Sequence, residues 1–169
     1  MSVFRFAAAA TAVLITGCAA SPETISCLQP DRRVMVEMSG IKVKPPPKNK
    51  PKAKPGRQTV LLKAVVQGDS AWDHGSAVLK AGGKSEIDKL VKLANEGTRR
   101  DKRPTKVGSI IITGHIDPVE YDGGLKDLDE QRAMAVRDYL ASKGLDRKLM
   151  FWEGKDATQP VPVTKFCDL

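Results

Sequence analysis

Between Lys44 and Arg57 the chain sets Pro45, Pro46, Pro47, Pro51 and Pro55 among five lysines and an arginine. Proline lacks the amide donor that helices and sheets need, and lysine resists burial, so this stretch builds no core and favours extended polyproline conformation. It therefore divides the chain, and whatever precedes it must find packing partners on its far side. What precedes it is a strand: Val34, Val36 and Met38 alternate with Arg33, Met35 and Glu37 over Arg33 to Ser39, the period of a half-buried strand. Residues 43–58 are read as a linker inside one folded unit. A cationic recognition element for lipopolysaccharide, teichoic-type polymers or nucleic acid is the alternative. The segment has no aromatic residue to stack on a base, which favours a solvated spacer, and nucleic acid is not an expected partner.

Beyond the linker the pattern changes. Val60, Leu61, Leu62, Val65 and Val66 form a β-branched run typical of a central strand, closed by Gly68-Asp69. Trp72 to Val78 reads as a loop or a continuation of that strand. Ile87, Leu90, Val91 and Ala94 recur at helical spacing, which predicts a helix from about Ser85 to Glu96 with Gly97 as its C-cap. Arg99 to Lys106 reads as a loop, and Ile110, Ile111 and Ile112, bounded by Gly108 and Gly114, as a short buried strand. A second helix is predicted from Asp127 or Leu128 to Ser142, burying Leu128, Ala135, Val136, Tyr139 and Leu140, with Gly144 beyond its end. Leu149 to Trp152 is a last short strand, and the chain from Gly154 onward reads as irregular. The order β, linker, β, α, β, α, β predicts an α+β fold: a small mixed sheet with two helices packed on one face.

The 169 residues suffice for one domain. The net charge of +8 suits an anionic partner surface, but six of those charges lie in the linker, so the remainder is nearly balanced. Arg5 and the apolar run Ala7 to Ile15, too short to span a bilayer, read as an export signal over residues 1–17. Ile15-Thr16-Gly17-Cys18 resembles the lipobox of bacterial lipoproteins. That resemblance implies cleavage before Cys18 and its acylation, and Ala19 in place of Asp implies sorting to the outer membrane. An ordinary secretory signal with an incidental cysteine is the alternative. Residues 18–30 then form a lipid-anchored tail and residues 31–169 the folded part. Cys27 and Cys167 remain, either as a bridge, in keeping with an oxidising compartment, or as two buried thiols.

Thr113-Gly114-His115-Ile116-Asp117, then Leu128-Asp129-Glu130-Gln131-Arg132-Ala133 and Val136-Arg137-Asp138-Tyr139-Leu140, resemble the central signature of OmpA-like peptidoglycan-binding domains. Members of that family show Gly-His/Tyr-Thr-Asp after a strand and Leu-Ser-x-x-Arg-Ala opening a helix. The family's terminal strand, Asn/Asp-Arg-Arg-Val-x-Ile/Val, is absent from the C-terminus. Asp31-Arg32-Arg33-Val34-Met35-Val36 resembles it at the other end, which implies a circular permutation cut inside a loop that the Cys27–Cys167 bridge would close.

The resemblance implies a ligand: the stem peptide of peptidoglycan, held by the zwitterionic end of its diaminopimelate. Asp117 would accept from the ammonium. Arg132 would fork onto the carboxylate, aided by backbone amides at the N-terminus of the second helix. Ile116 stands where the family has Thr and Leu125 near its usual Asn, so both belong to the implied ligand site. Arg32 and Arg33 sit beside it, and neighbours on a strand face opposite ways, so at most one reaches it. Spacing alone equally allows Asp117 and Arg132 to be an ion pair that fixes a loop on a helix. His115 beside Asp117 could suggest a metal or acid-base pair. Yet His74 is the one other histidine, no ligand spacing appears, and no Ser or Cys has a base in nucleophile context. No cofactor, metal or catalysis is expected. The implied function is an outer-membrane lipoprotein, on the periplasmic face, that tethers membrane to wall. The alternative is a protein-interaction module of an envelope or secretion complex.

Overall fold

The computed structural model describes residues 20–43 and 59–161. The expected signal, Cys18, nearly all of the linker and Cys167 lie outside them. Four strands, β1 (Arg33–Lys42), β2 (Thr59–Gln67), β3 (Thr105–His115) and β4 (Met150–Gly154), form one sheet in the order β2-β1-β3-β4. β1 is antiparallel to both neighbours, and β4 runs parallel to β3. Helices α1 (Pro22–Cys27), α2 (Ala81–Glu96), α3 (Pro118–Asp122) and α4 (Leu128–Ser142) complete the described elements with two short 3-10 turns.

The alternation read in β1 is the alternation found. Val34, Val36 and Met38 are fully buried and join Val66, Ile110, Ile112 and Met150 from the other strands beneath α2 and α4. Ile87, Leu90 and Ala94 of α2 and Ala133, Val136 and Leu140 of α4 close this core, with Trp72 inside it. Among the described residues nothing covers the opposite sheet face, which carries Leu61, Val65, Ile111 and Phe151, all exposed. The fold is thus α+β, with a mixed sheet and two helices on one face. Because β2 and β3 both pair with β1, they run parallel to each other with β1 inserted between them, a split β-α-β unit.

Several boundaries and one placement differ from the sequence reading. β2, whose β-branched run suggests a central strand, is an edge strand, because β1 takes the centre. α2 begins at Ala81, four residues before Ser85, and Gly82 and Gly83 lie in its first turn. A side chain at Gly83 would press on Leu79, Val66 and Ala71, so glycine lets the helix start close against the sheet. β3 starts at Thr105, inside the expected loop, since Thr105 and Lys106 pair with Lys42 and Ile41. Trp72 to Val78 is a loop stretch. Residues 22–30, read as part of the tail, contribute α1 and, with Asp31, a 3-10 turn, and Leu28 between them is buried.

Gly114 near the end of β3 decides how α4 seats. A Cβ there would collide with the Asp129 carbonyl oxygen and carbon, which are backbone and cannot swing away. Gly114→Ala is expected to cost about 1–3 kcal/mol by forcing the first turn of α4 off the sheet. The urea midpoint of unfolding measures it, and an unchanged midpoint would show that α4 seats elsewhere.

Candidate functional site

The end of β3 delivers Asp117 to a position where its side chain starts α3. Its Oδ1 accepts the Glu120 amide at 2.8 Å, and Glu120 Oε2 accepts the Asp117 amide at 3.4 Å, a reciprocal capping box with Pro118 in the first helical position. Asp117 Oδ2 accepts Arg32 Nη1 at 2.8 Å, and both side chains are completely buried. Arg32 comes from the turn before β1. It also donates to the Ile25 carbonyl at 2.8 Å and to Asp69 Oδ1 at 2.5 Å, so it ties α1, the end of β2 and α3 together.

Arg132 rises from α4 to the same place. Its Nη1 and Nη2 donate to the two oxygens of Glu120 at 2.7 and 2.6 Å, a bidentate fork with neither side chain exposed. Its Nε reaches the Ser76 carbonyl at 3.0 Å and Nη2 the Asp73 carbonyl at 3.3 Å, while the guanidinium lies 5.6 Å from the centre of the Trp72 ring. Glu120 also accepts the Gly75 amide at 2.9 Å. Burial alone would raise the Glu120 carboxyl, but the hydrogen bonds and charge of Arg132, with the Gly75 and Asp117 amides, hold it below the usual carboxylate range. His74, about one-third exposed, covers the cluster, its Nδ1 3.8 Å from Asp117 Oδ2 and 3.6 Å from Glu120 Oε1.

His74, Asp117 and Glu120 are spaced as three metal ligands could be. The donors argue otherwise. Every oxygen of both carboxylates already accepts a hydrogen bond, and two buried guanidiniums supply part of them. A dication would have to displace those arginines or sit against their charge. The cluster is an ion-pair network.

The structure thus brings Asp117 and Arg132 together, although they do not touch each other as a direct pair: Glu120 lies between them, bonded to both. Of the two neighbouring arginines, Arg32 reaches the cluster. Arg33 instead faces Asp31 at 3.5 Å and donates to the Gln159 carbonyl at 2.7 Å. Ile116 is buried and Leu125 is exposed, its side chain near Gly75. His115 is buried opposite Arg33 of β1, and its ring makes no hydrogen bond to the network. Sequence reasoning missed Glu120, His74 and Asp69. Glu120 carried a readable signal: Asp117-Pro118-Val119-Glu120 has the spacing of a capping box with proline at its first helical position.

Fold and site together define a class of protein: a single α+β domain, built on a split β-α-β sheet, that gathers two arginines and two carboxylates in one buried network where β3 ends. More specifically, the chain belongs to the OmpA family, whose profile matches residues 71–166. Outer membrane protein A of Bordetella avium is 29% identical over 126 residues, covering 75% of this chain and 58% of that protein. Outer membrane protein A of Serratia marcescens is 33% identical over 81 residues, covering 48% of this chain and 21% of that one. The chain therefore spans little more than half the length of the first relative and about a fifth of the second. Among solved structures, the OmpA-like domain of FopA1 from Francisella tularensis matches with 24% identity and a TM-score of 0.44, over 59% of this chain and 61% of that one. Among the described residues no helix is long and apolar enough to cross a membrane.

Proposed function

We propose that this chain is an outer-membrane lipoprotein, facing the periplasm, whose folded part binds the diaminopimelate end of the peptidoglycan stem peptide and so ties membrane to wall without a covalent bond. The observation that carries the reading is the meeting of Asp117 and Arg132, fifteen residues apart and on different elements, at one residue: the Asp117 carboxylate accepts the Glu120 amide and Arg132 forks onto the Glu120 carboxylate. A zwitterionic end needs one fixed anion and one fixed cation within a few ångströms, and these two residues are such a pair. The role is binding and involves no bond-breaking.

Permutation is supported by the family match beginning at residue 71, after β1, although β1 is the strand on which the sheet is centred. The Val161 amide donates to Asp31 Oδ1 at 2.5 Å, so the C-terminal segment lies against the start of β1, where a permuted chain would have its new ends. With Cys18 assigned to lipid, Cys27 is left to bridge to Cys167, as an oxidising compartment favours. If Cys18 carries lipid, three residues separate it from α1, at most ~3.5 Å each, and the domain abuts its membrane.

Co-sedimentation with purified diaminopimelate-type sacculi tests the reading, using residues 19–169 beside Asp117→Asn, which keeps the side chain's shape without its charge, and Arg132→Lys, which keeps the charge without the fork. Wild type is expected to pellet and each variant to bind roughly ten- to a hundredfold more weakly, since hydrogen bonds between charged groups are worth about 1.5–3 kcal/mol each. If wild type stays in solution, the second reading gains: a protein-interaction module. The observation that favours it is the open sheet face, where Phe151 is 61% exposed beside Ile111, and Leu61 and Val65 are exposed further across.

A further inference from the structure

The Arg132–Glu120 fork has the geometry that a free carboxylate adopts on an arginine, and its two halves are held very differently. Arg132 stands on the fifteen-residue α4, is fixed by the Ser76 and Asp73 carbonyls, and stacks on the buried Trp72. With Glu120 removed, this guanidinium would keep its place and its direction. Glu120 stands on α3, a helix of five residues that this fork joins to α4 and that is followed by an exposed run from Asp122 to Asp127. A shift of α3 would uncover Arg132 without disturbing any strand pairing.

We propose that Glu120 is a built-in stand-in for a ligand carboxylate: α3 keeps the Arg132 subsite filled in the free protein and gives way when a carboxylate from outside takes the fork. The identity of that carboxylate as peptidoglycan rests on the function proposed above; the anion subsite itself does not. The cation side is filled in a parallel way, by Arg32 on Asp117, but Arg32 leads directly into the central strand and bonds three elements at once. It cannot leave as α3 can. The carboxylate is therefore the half of the ligand for which this chain exchanges its own group, and Glu120 sets the affinity.

Two measurements on the mature chain test this, with acetate and diaminopimelate-type sacculi as the probes. Glu120→Ala leaves Arg132 buried and unpaired, so its melting temperature is expected to fall. Sodium acetate should restore it saturably, against sodium chloride at equal ionic strength. Wild type and Glu120→Gln, whose side chains still fill the subsite, should show no such rise. In the second measurement, Glu120→Ala and Glu120→Gln should bind sacculi roughly tenfold more tightly than wild type, because the competing fork is absent or has lost its charge. Should Glu120→Ala fail to fold without acetate, Glu120→Gln carries the comparison. The inference is overturned if acetate affects Glu120→Ala and wild type alike, or if wild type binds sacculi and neither variant binds more tightly. Acetate rescue without any sacculus binding leaves the subsite standing and removes peptidoglycan as its ligand.

Discussion

Arg132→Met is expected to lower the folding free energy by about 3–5 kcal/mol, a large part of what a domain of this size possesses. Methionine is close to arginine in volume and leaves the Trp72 contact largely filled, so the loss is chiefly electrostatic. Glu120 would stay buried as a carboxylate with two amide donors and no cation. Its pKa should then climb, and the folded state would have to take up a proton or open α3. Adding Glu120→Gln should recover much of the loss, since no unpaired charge then remains in the interior. The double variant is expected to cost less than the two single losses added together by about 1–3 kcal/mol. Urea unfolding of the four proteins at neutral pH measures this directly. Simple additivity would mean that the two side chains are not coupled, and the network as described would be wrong.

That coupling also bears on binding. Any carboxylate that enters the fork must compete with a bidentate pair already formed, which leaves a weaker net affinity than an empty arginine would give. Loss of sacculus binding in an arginine variant is therefore read together with its stability, because the same residue holds α3 to α4.

The parts of the fold legible from sequence are those whose burial is periodic. α4 was readable from Leu128 to Ser142 because its buried positions recur at helical spacing and Gly144 ends it at a φ of 90°. β1 was readable because it alternates. Elements fixed by tertiary pairing were not. Thr105 and Lys106 look like loop residues by composition, and only their partners on β1 make them strand. Gly82 and Gly83 look like a turn, and only the closeness of Ser70 to the first, and of Val66 and Ala71 to the second, explains glycine within a helix. In the site, Asp117 and Arg132 came from the family resemblance. Spacing could not tell a ligand site from an ion pair, and in the structure each residue is ion-paired, but to a third and a fourth group: Asp117 to Arg32 and Arg132 to Glu120. The burial of Glu120, and the choice between Arg32 and Arg33, are not legible, because charged residues are seldom buried and nothing in a single sequence says which will be.

Replacing His115 with Phe is expected to remove most of an acid sensitivity of about 2.5 kcal/mol. His115 ends β3, opposite Arg33 of β1, and is almost completely buried; neither ring nitrogen has a hydrogen-bond partner among the described residues. Burial pushes its pKa from 6.5 down to about 4, with the Arg33 guanidinium and Lys155 acting in the same direction and Asp129 and Glu153 opposing them. The folded protein thus holds this imidazole neutral over a range in which the unfolded chain protonates. Below pH 6.5 the unfolded state binds more protons, so stability falls as pH falls, and the loss stops growing near pH 4. Between pH 7.5 and 4.5 this one group should cost the wild type about 2.5 kcal/mol, from 1.36 kcal/mol per pKa unit. Other groups titrate as well: burial raises Asp31, and Glu120 loses its pairing in stronger acid. Those contributions are shared by both proteins, and any packing cost of the larger ring does not depend on pH. Denaturant unfolding at the two pH values isolates the histidine as the difference between two differences. Equal acid losses in wild type and His115→Phe would mean that the imidazole is charged, or solvated, inside the folded protein.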